Sequence, residues 1–342
     1  MSEKERANLK WEELSFGYIK PHFNIRYHYA NGAWSEGKLV EDDTISMHIA
    51  APCLHYGQEV FEGMKAFETK DKKIVVFRPD QNAKRMQLSC DRLCIPQISE
   101  EMFLDAVQKV VRANEYFVPP HGTGASLYLR PLVIGTGARI GVGPADEYDF
   151  IILVTPVGPY YKGGFKPVEA LIVEQFDRAA PRGVGHVKTG GNYAAGLAGD
   201  KFAKQKGFPV VLYLDSKENK YVDEFGTSNF ISIKGDTYLT PQSESILASI
   251  TNDSLGVLAV DMGLKLERRP ILITELSELD EVGAVGTAAI ITPVSKVHHG
   301  EKVYVFGDGE TPGQNITKLY NKLLAVQYGE CDDVHNWLFE IK

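Results

Sequence analysis

The sequence predicts a mixed α/β (α+β) protein with two domains. Three observations carry this. Amphipathic helical tracks and short apolar strands both occur, but they do not alternate regularly enough for a doubly wound sheet. No GxGxxG opens a helix after a strand, so a Rossmann dinucleotide site is not expected. The stretch TPVGPYYKGGFKP, full of Pro, Gly and Tyr, interrupts the chain near residue 160 as a linker would. The expected division is a small N-terminal α/β domain over 1–155, a linker over 156–166 and a larger C-terminal domain over 167–342.

The elements follow in order. PHFNIRYHYANGAWSEGKLV alternates aromatics around Asn31-Gly32 and reads as a hairpin. KIVVFRP is a short strand ended by Pro79, and DQNAKRMQLSCDRL puts Met86 and Leu93 on a helical track. SEEMFLDAVQKVVRANEYF is a stronger helix, with Ser99 as cap, Glu100 and Glu101 in the first turn, and Phe103, Val107, Val110 and Val111 as its apolar face. ASLYLRPLVIG and DFIILVTPV read as buried strands. Beyond the linker, PVVLYLD, KYVDEFG, NFISIKG and TYLTP suggest a meander, SLGVLAVDMGL a helix and RRPILITE a strand. GAVGTAAIITPVSKV is rich in small residues, then apolar. Thr311-Pro312 is a helix start for GQNITKLYNKLLAVQY.

With 342 residues, 44% hydrophobic and 24% charged, the chain can bury substantial cores. The net charge of -8 disfavours a nucleic-acid surface. The four cysteines form no CxxC pair, and Cys90 and Cys94 lack close zinc partners, which points to reduced thiols in a cytoplasmic protein. The N-terminus is polar with no apolar signal core, and no run approaches the ~20 apolar residues of a membrane span.

GHVKTGGNYAAGLAGD sets Lys188 beside two glycines, just ahead of a run in which Ala194, Ala195, Leu197, Ala198 and Phe202 recur at helical spacing. On this stretch alone, a solvated lysine on a surface turn and a buried reactive lysine both remain open.

Read together, LHYGQEVFEGMKAF (54–67), FRPDQNAKRM (77–86), SLYLRP (126–131), VKTGGNYAAGL (187–197), YVDEFGTSNFI (221–231) and AVGTAAIITPV (284–294) resemble a fold-type IV pyridoxal-phosphate enzyme. Within that class they are most similar to the branched-chain amino acid aminotransferases, from about residue 22 to near the C-terminus. The resemblance implies a small α/β domain plus a larger pseudo-barrel domain that binds pyridoxal 5′-phosphate, a homodimer, and a role in amino-acid biosynthesis. Lys188 would be the catalytic lysine that bonds the cofactor; its amine on a long stem suits addition to an aldehyde and proton shuttling. Glu224 would face the pyridine nitrogen, Tyr193 the phenolic oxygen and Arg85 the phosphate, where a guanidinium fork suits a dianion. Ile250 and Thr251 would form a second phosphate cradle at a helix start, although LASIT departs from the usual LPGxTR. Thr287 would add a hydroxyl, and Arg178 a support role near the cofactor.

For substrate, the resemblance implies Tyr56, Phe61, Tyr128 and Arg130, with the Thr287 and Ala288 amides on the α-carboxylate. The i, i+2 spacing of Tyr128 and Arg130 puts both on one face of a strand. Arg130 suits the second carboxylate of glutamate. The implied reaction is a reversible, ping-pong transamination of L-leucine, L-isoleucine and L-valine with 2-oxoglutarate. Mammalian-type members carry a CxxC pair after GTA; here Ala289-Ile290-Ile291-Thr292 leaves no thiol switch at that site. D-amino acid aminotransferases and aminodeoxychorismate lyases are the alternatives within the class, but they lack the FEGMKAF…FRP block. A pyridoxal-phosphate-binding protein without turnover, or a non-enzymatic interaction protein, is the alternative outside it.

Overall fold

Two apolar ten-residue runs organise the N-terminal part of the chain. The computed structural model describes residues 5–160 and 164–342; residues 161–163 of the expected linker, and the first four of the N-terminus, lie outside the described residues. Contacts divide the chain into two compact units. The first holds the N-terminal part up to the linker together with 187–190 and 325–342, and the second holds the remainder.

The strands and helices of the N-terminal part are β1 Asn24–Ala30, β2 Ala33–Trp34, β3 Lys38–Val40, α1 Pro52–Tyr56, β4 Glu59–Phe61, β5 Met64–Glu68, β6 Ile74–Phe77, α2 Pro79–Arg92, α3 Glu100–Ala113, β7 Ser126–Gly135 and β8 Tyr148–Val157. β7 and β8 pair antiparallel over their full length, from Ser126 opposite Val157 to Gly135 opposite Tyr148. β8 continues to β1 and β2, while β7 continues to β5 and β6. The hairpin expected at Asn31-Gly32 is present, with φ of 53° and 84°, the left-handed pair of a type I′ turn.

β4 and β5 share the same edge of β7, opposite 132–134 and 127–129 respectively. The break between them falls at Glu62-Gly63, opposite Pro131, whose carbonyl accepts the Glu62 amide at 2.8 Å. Proline has no amide to extend the ladder there, so the edge is free to bend. Gly63 is required at the bend, because a Cβ would run into the Tyr128 hydroxyl.

α3 begins as its sequence implies. Ser99 Oγ accepts the Met102 amide at 3.1 Å, and Phe103, Val107, Val110 and Val111 are fully buried. Leu93, placed on the track of α2, instead caps its C-terminus.

The remaining elements are β9 Val168–Ile172, α4 Gly190–Gln205, β10 Val210–Leu214, β11 Val222–Phe225, β12 Ser228–Lys234, β13 Thr237–Thr240, α5 Ile250–Asp261, β14 Lys265–Arg268, β15 Glu281–Gly286, β16 Ile290–His299, β17 Lys302–Val305, α6 Gln314–Gln327 and β18 Leu338–Glu340. In the second unit the order β11-β10-β9-β16-β15-β12 closes on itself through a β11–β12 pairing, giving a six-stranded barrel with β13 and β14 extending from β12 and β17 from β16. One buried apolar cluster of this unit holds Leu212, Phe225, Phe230, Leu239, Val282 and Val297 among others. β18 belongs to the first unit, where it pairs antiparallel with β6.

Three local expectations change. RRPILITE is not a strand: β14 ends at Arg268, and Ile273–Glu278 is a 3-10 helix. Pro270 cannot donate to a ladder, and Glu275 receives the Leu272 amide at 2.9 Å to start the turn instead. α4 does not bury Ala194, Ala195, Leu197 and Ala198. It buries Gly196, Gly199 and Ala203, and Gly199 lies so close to the Tyr213 hydroxyl that no side chain fits. α6 starts at Gln314, two residues after Pro312. The Glu281 carboxylate from β15 accepts the Asn315 and Ile316 amides at 3.0 and 2.8 Å, satisfying donors the helix leaves open.

Asn114, fully buried after α3, accepts the His22 and Phe23 amides at 3.0 Å each, and donates to the Phe23 and Val110 carbonyls. Asn114→Ala strands these groups, and a loss of about 3 kcal/mol is expected in denaturant unfolding.

Candidate active site

In the first unit, β4 and β7 place Phe61, Tyr128 and Arg130 beside the segment that carries Lys188. The Lys188 amine lies 4.5 Å from the centroid of the Phe61 ring. The Arg130 guanidinium stands 4.9 Å from the same centroid and 5.3 Å from that of Tyr128, to whose hydroxyl it donates at 3.0 Å. The period-2 reading of Tyr128 and Arg130 is therefore realised as direct contact. Arg130 Nε is buried with no hydrogen-bond partner among the described residues. Phe16, which the sequence reading passed over, meets the Tyr128 ring edge-on at 4.9 Å.

Lys188 lies just ahead of α4. Its carbonyl accepts the Phe61 amide at 3.0 Å, and its own amide donates to Ser89 Oγ at 3.1 Å. Glu59 accepts from the Thr189 hydroxyl at 3.1 Å and from the Gly190 amide. Burial pushes the Glu59 carboxyl up, against the pull of those two donors and the Arg130 charge.

Arg85 sits on α2 with its Nε and Nη2 gripping Glu62, both at 2.7 Å. Glu62 has no exposed surface and also accepts from Asn82 at 2.7 Å. Burial alone would raise its proton affinity; the Arg85 charge and hydrogen bonds, with the Lys188 charge and Asn82, outweigh it and hold the carboxyl below its usual range. Neither Glu59 nor Glu62 was singled out from sequence. The available signal was a pair of acids inside the largely apolar strand run EVFEGMKAF.

Tyr56 stands apart from this group. It is exposed at the end of α1, and its hydroxyl donates to the Ile140 carbonyl. Among the described residues it makes no hydrogen bond or ring contact with Phe61, Tyr128, Arg130 or Lys188; its ring neighbour is His55.

In the second unit, Glu224 on β11 is buried opposite Asn229 on β12. Its carboxylate accepts from Asn229 at 3.0 Å and from the Leu247 amide at 3.2 Å, and pairs with Arg178 at 2.9 Å. Arg178 pairs with Glu224 and donates to the Gly185 and Ser245 carbonyls. Asn229 was missed; its signal is the tight Gly226-Thr227 turn, which sets residues 224 and 229 face to face. Ile250 and Thr251 open α5, where Ser249 caps by accepting the Asn252 amide. Thr287 and Ala288 lie in the turn from β15 to β16, followed by Ile290 at φ 63°. A β-branched residue in the left-handed region is strained by about 1–3 kcal/mol. Tyr193 lies half-buried on the first turn of α4.

The chain matches the model of the family Amino-transferase class IV over residues 59–297. It is 48% identical over 338 residues to the branched-chain-amino-acid aminotransferase of Helicobacter pylori, covering 98% of each chain. It is 42% identical to that of Haemophilus influenzae, covering 98% of this chain and 99% of the other. The crystal structure of the Escherichia coli branched-chain amino acid aminotransferase superposes with a TM-score of 0.79 at 27% identity, covering 94% of this chain and all of that one. The chain belongs to the class IV aminotransferases, the fold-type IV pyridoxal-phosphate enzymes. Within them it belongs to the branched-chain-amino-acid aminotransferases. It is an enzyme of that activity, and its cofactor is pyridoxal 5′-phosphate.

The residues fit that group by their donor chemistry. A buried carboxylate ringed by donors suits a protonated pyridine nitrogen, the first amides of α5 with the Thr251 hydroxyl suit a phosphate, and Lys188 supplies an amine.

Removing the charge of Glu62 should unmask its pairing with Arg85. Glu62→Gln is expected to cost about 3 kcal/mol at neutral pH, because the buried ion pair loses its negative member. Because the folded value is lowered, the contribution is present above the unfolded carboxylate value of about 4.3 and lost as pH falls through the folded one. The Tm difference between wild type and variant should therefore shrink on acidification below a pH of ~4.

Proposed function

We propose that the chain catalyses the reversible transamination of L-leucine, L-isoleucine and L-valine with 2-oxoglutarate, releasing branched-chain 2-oxo acids and L-glutamate in two half-reactions. The observation that carries this reading is the Phe61 ring shared by the Lys188 amine and the Arg130 guanidinium. Phe61, Tyr128 and Phe16 offer an apolar wall to an aliphatic side chain. Arg130, with a buried unpartnered Nε–H, offers a donor to the second carboxylate of glutamate.

When bound, pyridoxal phosphate supplies an aldehyde that condenses with amines and a ring that withdraws electrons from the substrate α-carbon. The Lys188 amine would hold the cofactor in the resting enzyme and, once freed, would carry the proton taken from the substrate Cα. Glu224, its orientation fixed by Arg178, Asn229 and the Leu247 amide, would keep a proton on the ring nitrogen. By the resemblance, Tyr193 would donate to the phenolic oxygen, Arg85, Ile250, Thr251 and Thr287 would hold the phosphate, and the Thr287 and Ala288 amides would take the α-carboxylate.

A homodimer and a cytoplasmic location complete the reading. Ile49, Leu54, Ile140 and Val142 are 80%, 62%, 72% and 83% exposed on the first unit, and the Tyr56 bond to Ile140 ties two of these segments together. An apolar group of this kind suits a second copy of the chain. Among the described residues no helix is long and apolar enough to cross a membrane.

Activity with L-leucine and 2-oxoglutarate, set against D-alanine, tests the substrate class; preference for D-alanine overturns it. Lys188→Ala should abolish turnover, and borohydride reduction of wild type should label Lys188; a label on Lys65 would reassign the amine. Glu224→Gln should slow the leucine half-reaction at least about 100-fold, worth about 2.7 kcal/mol of barrier, with cofactor affinity little changed. Ile140→Lys with Val142→Lys should sediment as a monomer, and a fully active monomeric wild type would remove the dimer from the account.

A further inference from the structure

We propose that Glu59 is a positioning residue for Lys188: its carboxylate clamps the turn that carries the lysine and so fixes where the amine can reach. The inference rests on Lys188 being the reacting amine and deepens that reading by naming what holds its backbone.

The grip has several parts. One oxygen, Oε1 of Glu59, accepts from both the Thr189 hydroxyl and the Gly190 amide, the two residues that follow the lysine. Two positions along the same strand, the Phe61 amide donates to the Lys188 carbonyl at 3.0 Å. From α2, Ser89 Oγ accepts the Lys188 amide at 3.1 Å. The peptide groups on both sides of the lysine are therefore tied to the first unit. The Gly190 amide is the first of α4, a donor for which the helix itself has no acceptor. Glu59 supplies one from outside the helix.

The approach also explains a glycine. A Cβ at residue 190 would lie 2.6 Å from Glu59 Oε1, so any other residue would push the carboxylate from its present place. Register adds a second constraint. Glu59 pairs with Ile134 and Phe61 with Leu132, so the clamp and the aromatic ring beside the amine are held by the same strand, β7, that carries Tyr128 and Arg130. A lysine amine sits at the end of a long, rotatable stem. Anchoring its Cα against these partners confines the amine, and misplacement of a reacting group by ~1 Å costs roughly 100-fold in rate.

The test compares Glu59→Ala with Glu59→Gln in the holoenzyme. The amide oxygen of Gln can accept the same two donors, whereas Ala accepts none. Glu59→Ala should lower kcat roughly 10- to 100-fold with KM for L-leucine within about threefold, and Glu59→Gln should recover kcat to within about fivefold of wild type. A readout independent of activity is amide hydrogen exchange of the cofactor-free protein. Exchange across 187–195 should rise roughly tenfold or more in the Ala variant and stay near wild type in the Gln variant, with 126–135 unchanged in both. Wild-type kcat in Glu59→Ala, or unchanged exchange across 187–195, overturns the proposal. So does equal impairment of both variants with exchange rising through the whole first unit, which marks a purely structural residue. A borohydride label on a lysine other than Lys188 in wild type overturns the assignment of the amine instead, and the exchange result then still reports on the clamp.

Discussion

The first unit depends on one buried carboxylate. Glu62 lies at the point where β4 gives way to β5, with no exposed surface, and Arg85, Asn82 and the Gly63 amide converge on it. An isolated charge in that position would be very costly. Pairing it with a guanidinium through two parallel hydrogen bonds removes most of that cost and fixes the orientation of Arg85 at the same time. The bend that brings Glu62 inward is made possible by Pro131, which has no amide to offer the passing strand, and by Gly63, which leaves room for Tyr128. A backbone irregularity, an ion pair and the placement of the aromatic wall are thus one arrangement.

The barrel solves a similar problem with different means. Glu224 is held by a guanidinium, a side-chain amide and a backbone amide, and the side-chain amide comes from the residue directly across the hairpin. The strand pairing that closes the six-stranded ring therefore also sets the partner of the carboxylate. Both units bury an acid on or beside a strand and assign an arginine to it. In each case the arginine comes from outside the strand, on α2 for Glu62 and in the segment after β9 for Glu224.

What could be read from the sequence was what repeats locally. The face of α3, the Asn31-Gly32 hairpin, β7 and β8 as buried strands and the placing of Tyr128 and Arg130 on one face follow from helical spacing, turn residues, apolar runs and the two-residue strand period. α4 misled because its buried face is made mostly of glycines, which carry no hydrophobic signal, while Leu197 points outward. The start of α6 was read from Thr311-Pro312, but a carboxylate from a distant strand sets it. Lys188, Glu224 and the other residues proposed for the site stand in motifs that the sequence displays. Their partners Glu59, Glu62 and Asn229 were not, because a partner is defined by strand register and chain return. Nothing in the composition of 187–190 or 325–342 marks those segments as packing with the N-terminal unit.

The late return of β18 has a consequence for how the chain is made. Its partner β6, Ile-Val-Val-Phe, is buried along its whole length and forms the sheet edge that β18 covers. All of 78–337 is synthesised between the two strands. During that interval the nascent chain carries an apolar strand edge with unpaired backbone groups, the feature most prone to join another chain. Final closure of the first unit must wait until the whole barrel has been translated. A premature stop just short of residue 338 would spare every strand of the barrel and still leave an open, adhesive edge on the other unit.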